Sequence, residues 1–233
     1  MSHLPNLELL DADGAVRDAA ESAGLDRSDF LKKGVIAGGG LLAGSALFTQ
    51  YVGTAEAAIS RTRRSAGNDV KILNFALTLE FLEAAFYRQA DINKVYGDNA
   101  ALQRFTQIVR RHEAQHVAFL RGALGTKAIK KPKFDFGATV TDRAMFQKTA
   151  QTLEDTGVTA YLGQVANISN RGTLTAAGTI ALVEGRHAAW IRFINGGATL
   201  ETPTRALPAP TTFDKPKSER SVLKAVKDTG FIQ

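Results

Sequence analysis

Ile108-Val109-Arg110-Arg111-His112-Glu113-Ala114-Gln115-His116-Val117-Ala118-Phe119-Leu120 is where the fold is written most plainly. Ile108, Val109, Phe119 and Leu120, with Leu102 and Phe105 before them, recur at steps of three and four, the helical period. Glu113 and His116 stand on that same side one turn apart, so a carboxylate and an imidazole point the same way from an apolar face. Glu-x-x-His occurs again as Glu184-Gly185-Arg186-His187, among Ile180, Val183, Ile191 and Ile194. A single such motif carries little weight. Two of them, drawing on a supply of only His3, His112, His116 and His187, mark equivalent helices.

Working outward, each motif is preceded by another helical pattern with a glutamate on its apolar side. Leu73, Ala76, Leu77, Glu80, Ala84 and Tyr87 form the first, and Phe146, Leu153, Glu154, Val158, Tyr161 and Val165 the second. Tyr87 follows Glu80 by seven residues and Tyr161 follows Glu154 by the same step. The order Glu, Tyr, Glu, His therefore occurs twice, as an internal duplication of a helical hairpin would produce. Glu83 has no counterpart in the second half, where Gly157 stands, which ranks Glu80 ahead of it as a candidate ligand.

Turn and cap residues give the limits. The first helix is predicted from Asp69 to about Tyr96, ending at Gly97. The second runs from near Asn99 to Gly125, the third from after Thr141-Asp142 to about Asn170, and the fourth from Gly172-Thr173 to Gly196-Gly197. A basic loop with Pro132, Phe134 and Phe136 joins helices two and three. As the longest connection, it suits a crossover that lays the hairpins in matching orientation. The fold class is all-α, an antiparallel four-helix bundle over 68–196, and no strand pattern competes. Residues 58–67 read as a basic linker. Residues 197–233 hold Pro203, Pro208, Pro210 and Pro216 and read as an extended arm closed by a short helix from about Ser218 to Asp228.

The chain has 233 residues, 44% hydrophobic and 22% charged, enough to bury one core and too apolar for disorder. Cysteine is absent, which excludes disulfides, thiolate zinc sites, iron–sulfur clusters and cysteine nucleophiles. Any metal must be held by carboxylate and imidazole. Residues 1–57 read as an export signal. The uncharged run from Gly34 to Phe48 follows Arg27, Lys32 and Lys33, is too short for a comfortable membrane span, and precedes the small-x-small site Ala55-Glu56-Ala57. Asp26-Arg27-Ser28-Asp29-Phe30-Leu31-Lys32 resembles the twin-arginine signal, with Ser28 where the second arginine belongs. The expected location is the periplasm, cell envelope or exterior; an uncleaved signal would leave a membrane anchor. The formal charge of +6 becomes ten positive without residues 1–57, a balance that suits anionic envelope polymers. The basic residues are scattered and no nucleic-acid motif is present.

Asn74-Phe75-Ala76-Leu77-Thr78-Leu79-Glu80-Phe81-Leu82-Glu83-Ala84-Ala85-Phe86-Tyr87 resembles the first helix of exported bacterial ferritin-like proteins related to the plant desiccation-related proteins. Glutamate from each of two helices and Glu-x-x-His from each of the other two is the ferritin-like di-iron carboxylate pattern. The resemblance covers about 68–196. It implies a ferritin-like bundle in which Glu80, Glu113, His116, Glu154, Glu184 and His187 hold two metal ions, and a part in stress or desiccation protection. Four carboxylates and two imidazoles suit iron or manganese, and their four negative charges balance two divalent ions. Without metal, burial and like-charge repulsion are expected to raise the carboxylate pKa values.

The expected chemistry is oxidation of Fe(II) or removal of peroxide or oxygen, as in a ferroxidase or a manganese-catalase-like oxidoreductase. The contrasting reading is a non-catalytic metal-binding or structural envelope protein; either is open to assembly as a homo-oligomer. Two alternatives fit the residues less well. His112-Glu113-Ala-Gln-His116 spells the zinc-peptidase motif H-E-x-x-H, which would leave Glu80, Glu154, Glu184 and His187 without a role. Salt bridges to Arg88, Arg111 or Arg186 would account for the acids without metal. His112 is then expected beside the site or at the surface, Tyr87 and Tyr161 as core tyrosines bonded to a neighbour, and Trp190 as packing.

Overall fold

The computed structural model describes residues 59–60, 64–196 and 207–233. The export segment read over 1–57 lies outside the described residues, as do 58, 61–63 and 197–206 of the linker and arm. Four long helices follow in chain order: α1 (Ala66–Ile92), α2 (Ala100–Leu124), α3 (Arg143–Gln164) and α4 (Arg171–Asn195); α5 (Glu219–Asp228) closes the chain. α1 packs chiefly on α2 and α3 on α4, which makes two hairpins joined by the crossover. No described helix is long and apolar enough to cross a membrane.

Side-chain caps define the starts. Ser65, Asn99, Asp142, Asn170 and Ser218 each accept from a backbone N–H in the first turn of the helix that follows. Three of the predicted limits shift for that reason or a related one. α1 starts at Ala66 and stops at Ile92, because the chain turns through Lys94 and Gly97, whose φ values are 50° and 54°. A side chain at Gly97 would also meet the Arg143 guanidinium, which pairs with Asp98. α3 ends at Gln164, short of Asn170, because the chain tightens into a 3-10 turn over Val165–Asn167. Val165 is consequently exposed, against expectation, while Ala84, Ile108, Val158, Val183 and Ile194 are half-buried.

α1 is the centre of the molecule. Every residue from Ile72 to Glu83 is buried, so this helix is apolar on all sides rather than along one stripe. The crossover covers its outer face. Asn74 pins the start, donating from Nδ2 to the Lys127 carbonyl at 3.0 Å and accepting the Ile129 N–H at 2.9 Å. Asn93 pins the end by donating to the Val140 carbonyl at 3.0 Å. Between them Phe136 is wedged against Phe86 and Phe231.

The hairpins are locked together at one end by buried polar groups. The Asp69 carboxylate accepts the N–H groups of Ser169 and Asn170, both at 2.8 Å, and Asn68 donates to the Asn167 carbonyl. The arm docks on α3, where the Lys217 N–H donates to the Thr159 carbonyl and Val222, Leu223 and Val226 of α5 are buried. Its last residues lie antiparallel to the crossover at Phe134 and Ile232.

Candidate metal centre

The duplicated glutamates and histidines meet at mid-bundle. Glu80 on α1, Glu113 on α2, Glu154 on α3 and Glu184 on α4 are each 0% exposed; His116 is 9% and His187 2% exposed. Helical spacing accounts for the convergence, because Glu113 and His116, like Glu184 and His187, sit one turn apart on the faces that α1 and α3 cover.

The donor atoms form two overlapping groups. Glu80, Glu113, His116 and Glu184 offer atoms within 4.8 Å of one another, and so do Glu113, Glu154, Glu184 and His187. Glu113 and Glu184 belong to both. His116 Nδ1 lies 3.1 Å from Glu80 Oε2, 3.1 Å from Glu113 Oε2 and 3.2 Å from Glu184 Oε1. His187 Nδ1 lies 3.1 Å from Glu113 Oε1 and 3.2 Å from Glu154 Oε2.

These atoms crowd together without satisfying one another. Glu113 Oε1, Glu154 Oε2, both oxygens of Glu184 and His187 Nδ1 are buried with no hydrogen-bond partner. A buried polar atom left unpaired costs roughly 1–3 kcal/mol, more when charged. Five in one place mean that the donors are aimed at a shared centre rather than at each other. Their chemistry, carboxylate oxygen and imidazole nitrogen, fits a pair of iron or manganese ions.

The surroundings hold the donors in place. The Tyr161 hydroxyl of α3 donates to Glu80 Oε1 on α1, and the Tyr87 hydroxyl of α1 donates to Glu154 Oε1 on α3. Each tyrosine thus clamps the other hairpin's glutamate, which explains why the seven-residue Glu–Tyr step repeats. Burial, then the adjacent carboxylate, pushes both phenol pKa values well above their ordinary value, so both remain donors. His112, half-buried, stacks on His187 with ring centroids 5.1 Å apart, and its Nδ1 lies 2.8 Å from His187 Nε2. His187 Nδ1 faces carboxylates and its Nε2 faces His112, whose pKa burial and the neighbouring imidazoles depress. Trp190 packs edge-on against Phe105, as expected of a core residue.

The carboxylates do not titrate alike. Burial pushes Glu80 up to about 7, partly countered by His116. Glu184 is held well above the ordinary value by burial and by the charges of Glu113 and Glu80. Glu113 goes the other way, contrary to the expectation that all would rise. Its burial is outweighed by His116 and His187, whose own pKa values the carboxylates raise despite the desolvation of both rings.

Both alternative readings fail on geometry. Arg88, Arg111 and Arg186 are exposed, and among the described residues the cluster's carboxylates make their ion pairs with His116 and His187. His112 bonds to His187 and belongs to neither donor group, so H-E-x-x-H does not form a zinc site here. Glu83 belongs to neither donor group. It is 3% exposed and held well above the ordinary carboxylate pKa by burial and the charges of Glu184, Glu154, Glu113 and Glu80. The Glu-x-x-Glu spacing of Glu80 and Glu83 puts both on one face.

Comparison with the curated proteins gives no match. Residues 68–197 match the family model of the ferritin-like domain, a span that holds α1 from its third residue, α2 to α4 and every residue of the cluster. On that match and this architecture, the chain belongs to the ferritin-like domain family.

Proposed function

We propose that Glu80, Glu113, His116, Glu154, Glu184 and His187 hold two iron or manganese ions, with Glu113 and Glu184 shared between them. We further propose that the protein, exported by the segment over 1–57, oxidises Fe(II) or removes peroxide or oxygen as a protection against stress or desiccation. The observation that carries the metal reading is the pair of four-donor groups that share two glutamates, with five buried donor atoms left unpaired.

When bound, such ions supply one-electron steps between the divalent and trivalent states and a Lewis-acid surface for a small oxidant. The chain's own residues do the rest. Glu80 and Glu154 are oriented by the crossed Tyr161 and Tyr87 hydroxyls, which keeps one oxygen of each turned to the centre. His187 keeps its proton on Nε2 through His112, which leaves Nδ1 free as a donor. Fully buried carboxylates in an apolar bundle exclude bulk water, so only a small molecule would have access.

The test compares protein loaded with Fe(II) or Mn(II), chelator-stripped protein, and the double variant Glu113→Ala with Glu184→Ala. Peroxide consumption or Fe(II) oxidation that needs the metal and disappears in the double variant supports the proposal. Metal uptake with no turnover of peroxide, oxygen or Fe(II) would favour the non-catalytic metal-binding or structural role. Turnover that survives in the double variant would refute the site.

A further inference from the structure

Superposing the order of the two hairpins pairs Glu80 with Glu154, Tyr87 with Tyr161, Glu113 with Glu184, and His116 with His187. It also pairs Glu83 with Gly157, and there the halves part. Gly157 is buried on α3 one turn beyond Glu154, facing the site. A Cβ at this glycine would lie 3.0 Å from Glu184 Oε2 and 3.5 Å from Glu83 Oε1. The Glu83 and Glu184 carboxylates thus reach from α1 and α4 towards the same point, in space that a side chain longer than alanine's at position 157 would fill. Glu184 Oε2, the oxygen that faces Gly157, has no hydrogen-bond partner.

We propose that Glu83 is a seventh donor to the metal pair, serving the ion held by Glu154 and His187, and that the missing side chain at Gly157 is what admits it. This rests on the di-metal reading above and deepens it. A fifth carboxylate makes the two ion positions unequal. The position beside Glu154 gains a negative donor that the one beside Glu80 lacks, so the chain binds its two ions in order, the Glu154–His187 position first. The charges that act most strongly on Glu83 are those of Glu184 and Glu154, which agrees with that side. A carboxylate placed among four others and away from solvent has no structural benefit of its own in the metal-free protein; a cation removes the cost.

Equilibrium dialysis with Mn(II), read by metal analysis, tests this on the full chain. Wild type should bind two ions per chain in two distinguishable steps. Glu83→Gln should weaken the tighter step by about tenfold or more and leave the other unchanged. Gly157→Leu, which fills the space that Glu83 and Glu184 share, should also weaken the tighter step. The metal-free Glu83→Gln protein should melt no lower than wild type, because a repelled buried carboxyl has been removed, whereas a purely structural Glu83 would make it melt lower. Unchanged affinities in Glu83→Gln, or equal weakening of both steps, would overturn the inference while leaving the six-residue centre intact. Wild type that takes up no Mn(II) or iron would instead overturn the di-metal reading itself.

Discussion

Replacing Glu80 by Gln should flatten part of the pH dependence of the metal-free protein. Glu80 is fully buried, and burial pushes its carboxyl from 4.5 up to about 7. Between these values the native chain holds a proton that the unfolded chain has released, so stability falls as pH rises. Holding one such proton costs about 1.4 kcal/mol for every pH unit crossed, and the full window therefore removes about 3 kcal/mol between about pH 4.5 and 7. For a chain of this size that is roughly 6–12 °C in Tm. Glu113 does not oppose this, because its carboxyl is held below the ordinary value and titrates at lower pH. His116 and His187, both raised, continue the fall above about pH 6.5. The assay is thermal unfolding of chelator-treated wild type and Glu80→Gln across this range, followed by far-UV circular dichroism. General charge effects are common to both proteins; Glu83, Glu184 and His116 also titrate in both, each released in the variant from the charge of Glu80 that helps to raise it. The Tm of wild type should fall relative to that of the variant as pH rises from about 4.5 to 7; parallel profiles would refute the assignment of a buried, protonated Glu80.

Other residues give sharper local tests. His112→Ala removes the acceptor that orients His187 and should weaken Mn(II) binding by about tenfold with the helical content unchanged, which equilibrium dialysis would show; undiminished affinity would mean that the stacked imidazole does not position His187. Gly163→Ala would place a Cβ 1.9 Å from the Lys217 carbonyl oxygen, a backbone atom that cannot swing aside. The arm should lift from α3 and become sensitive to limited proteolysis, at a cost of about 1–3 kcal/mol in unfolding free energy, while metal uptake stays as in wild type. If the leader is removed at Ala57, intact mass of exported protein should show a chain that starts at Ala58; full-length protein in the membrane fraction would favour an anchor.

The bundle and most of the cluster are legible in the sequence because function and fold share one periodicity. Glu113–His116 and Glu184–His187 sit on the apolar stripes that define α2 and α4, so finding the stripe finds the donors. α1 is harder to read. Its burial on every side depends on the crossover, held by Asn74 and Asn93, and no local period reports a cover that arrives more than thirty residues later. The burial of Glu83 near Gly157 is likewise not readable from the symmetry of the halves, which pairs a carboxylate with a glycine. The crossed clamps between Tyr87 and Glu154 and between Tyr161 and Glu80 follow from how the hairpins pair, which the Glu–Tyr step implies only once both helices are placed. Helix ends differ from expectation where 3-10 geometry or a left-handed residue, Lys94, stops the regular hydrogen bonding.

The central claim is that two overlapping donor groups hold two ions, and anomalous diffraction from crystals of manganese-loaded protein tests it most directly. The account predicts two peaks between Glu113 and Glu184, one beside Glu80 and His116 and the other beside Glu154 and His187. A single peak, or peaks away from these six side chains, would contradict it.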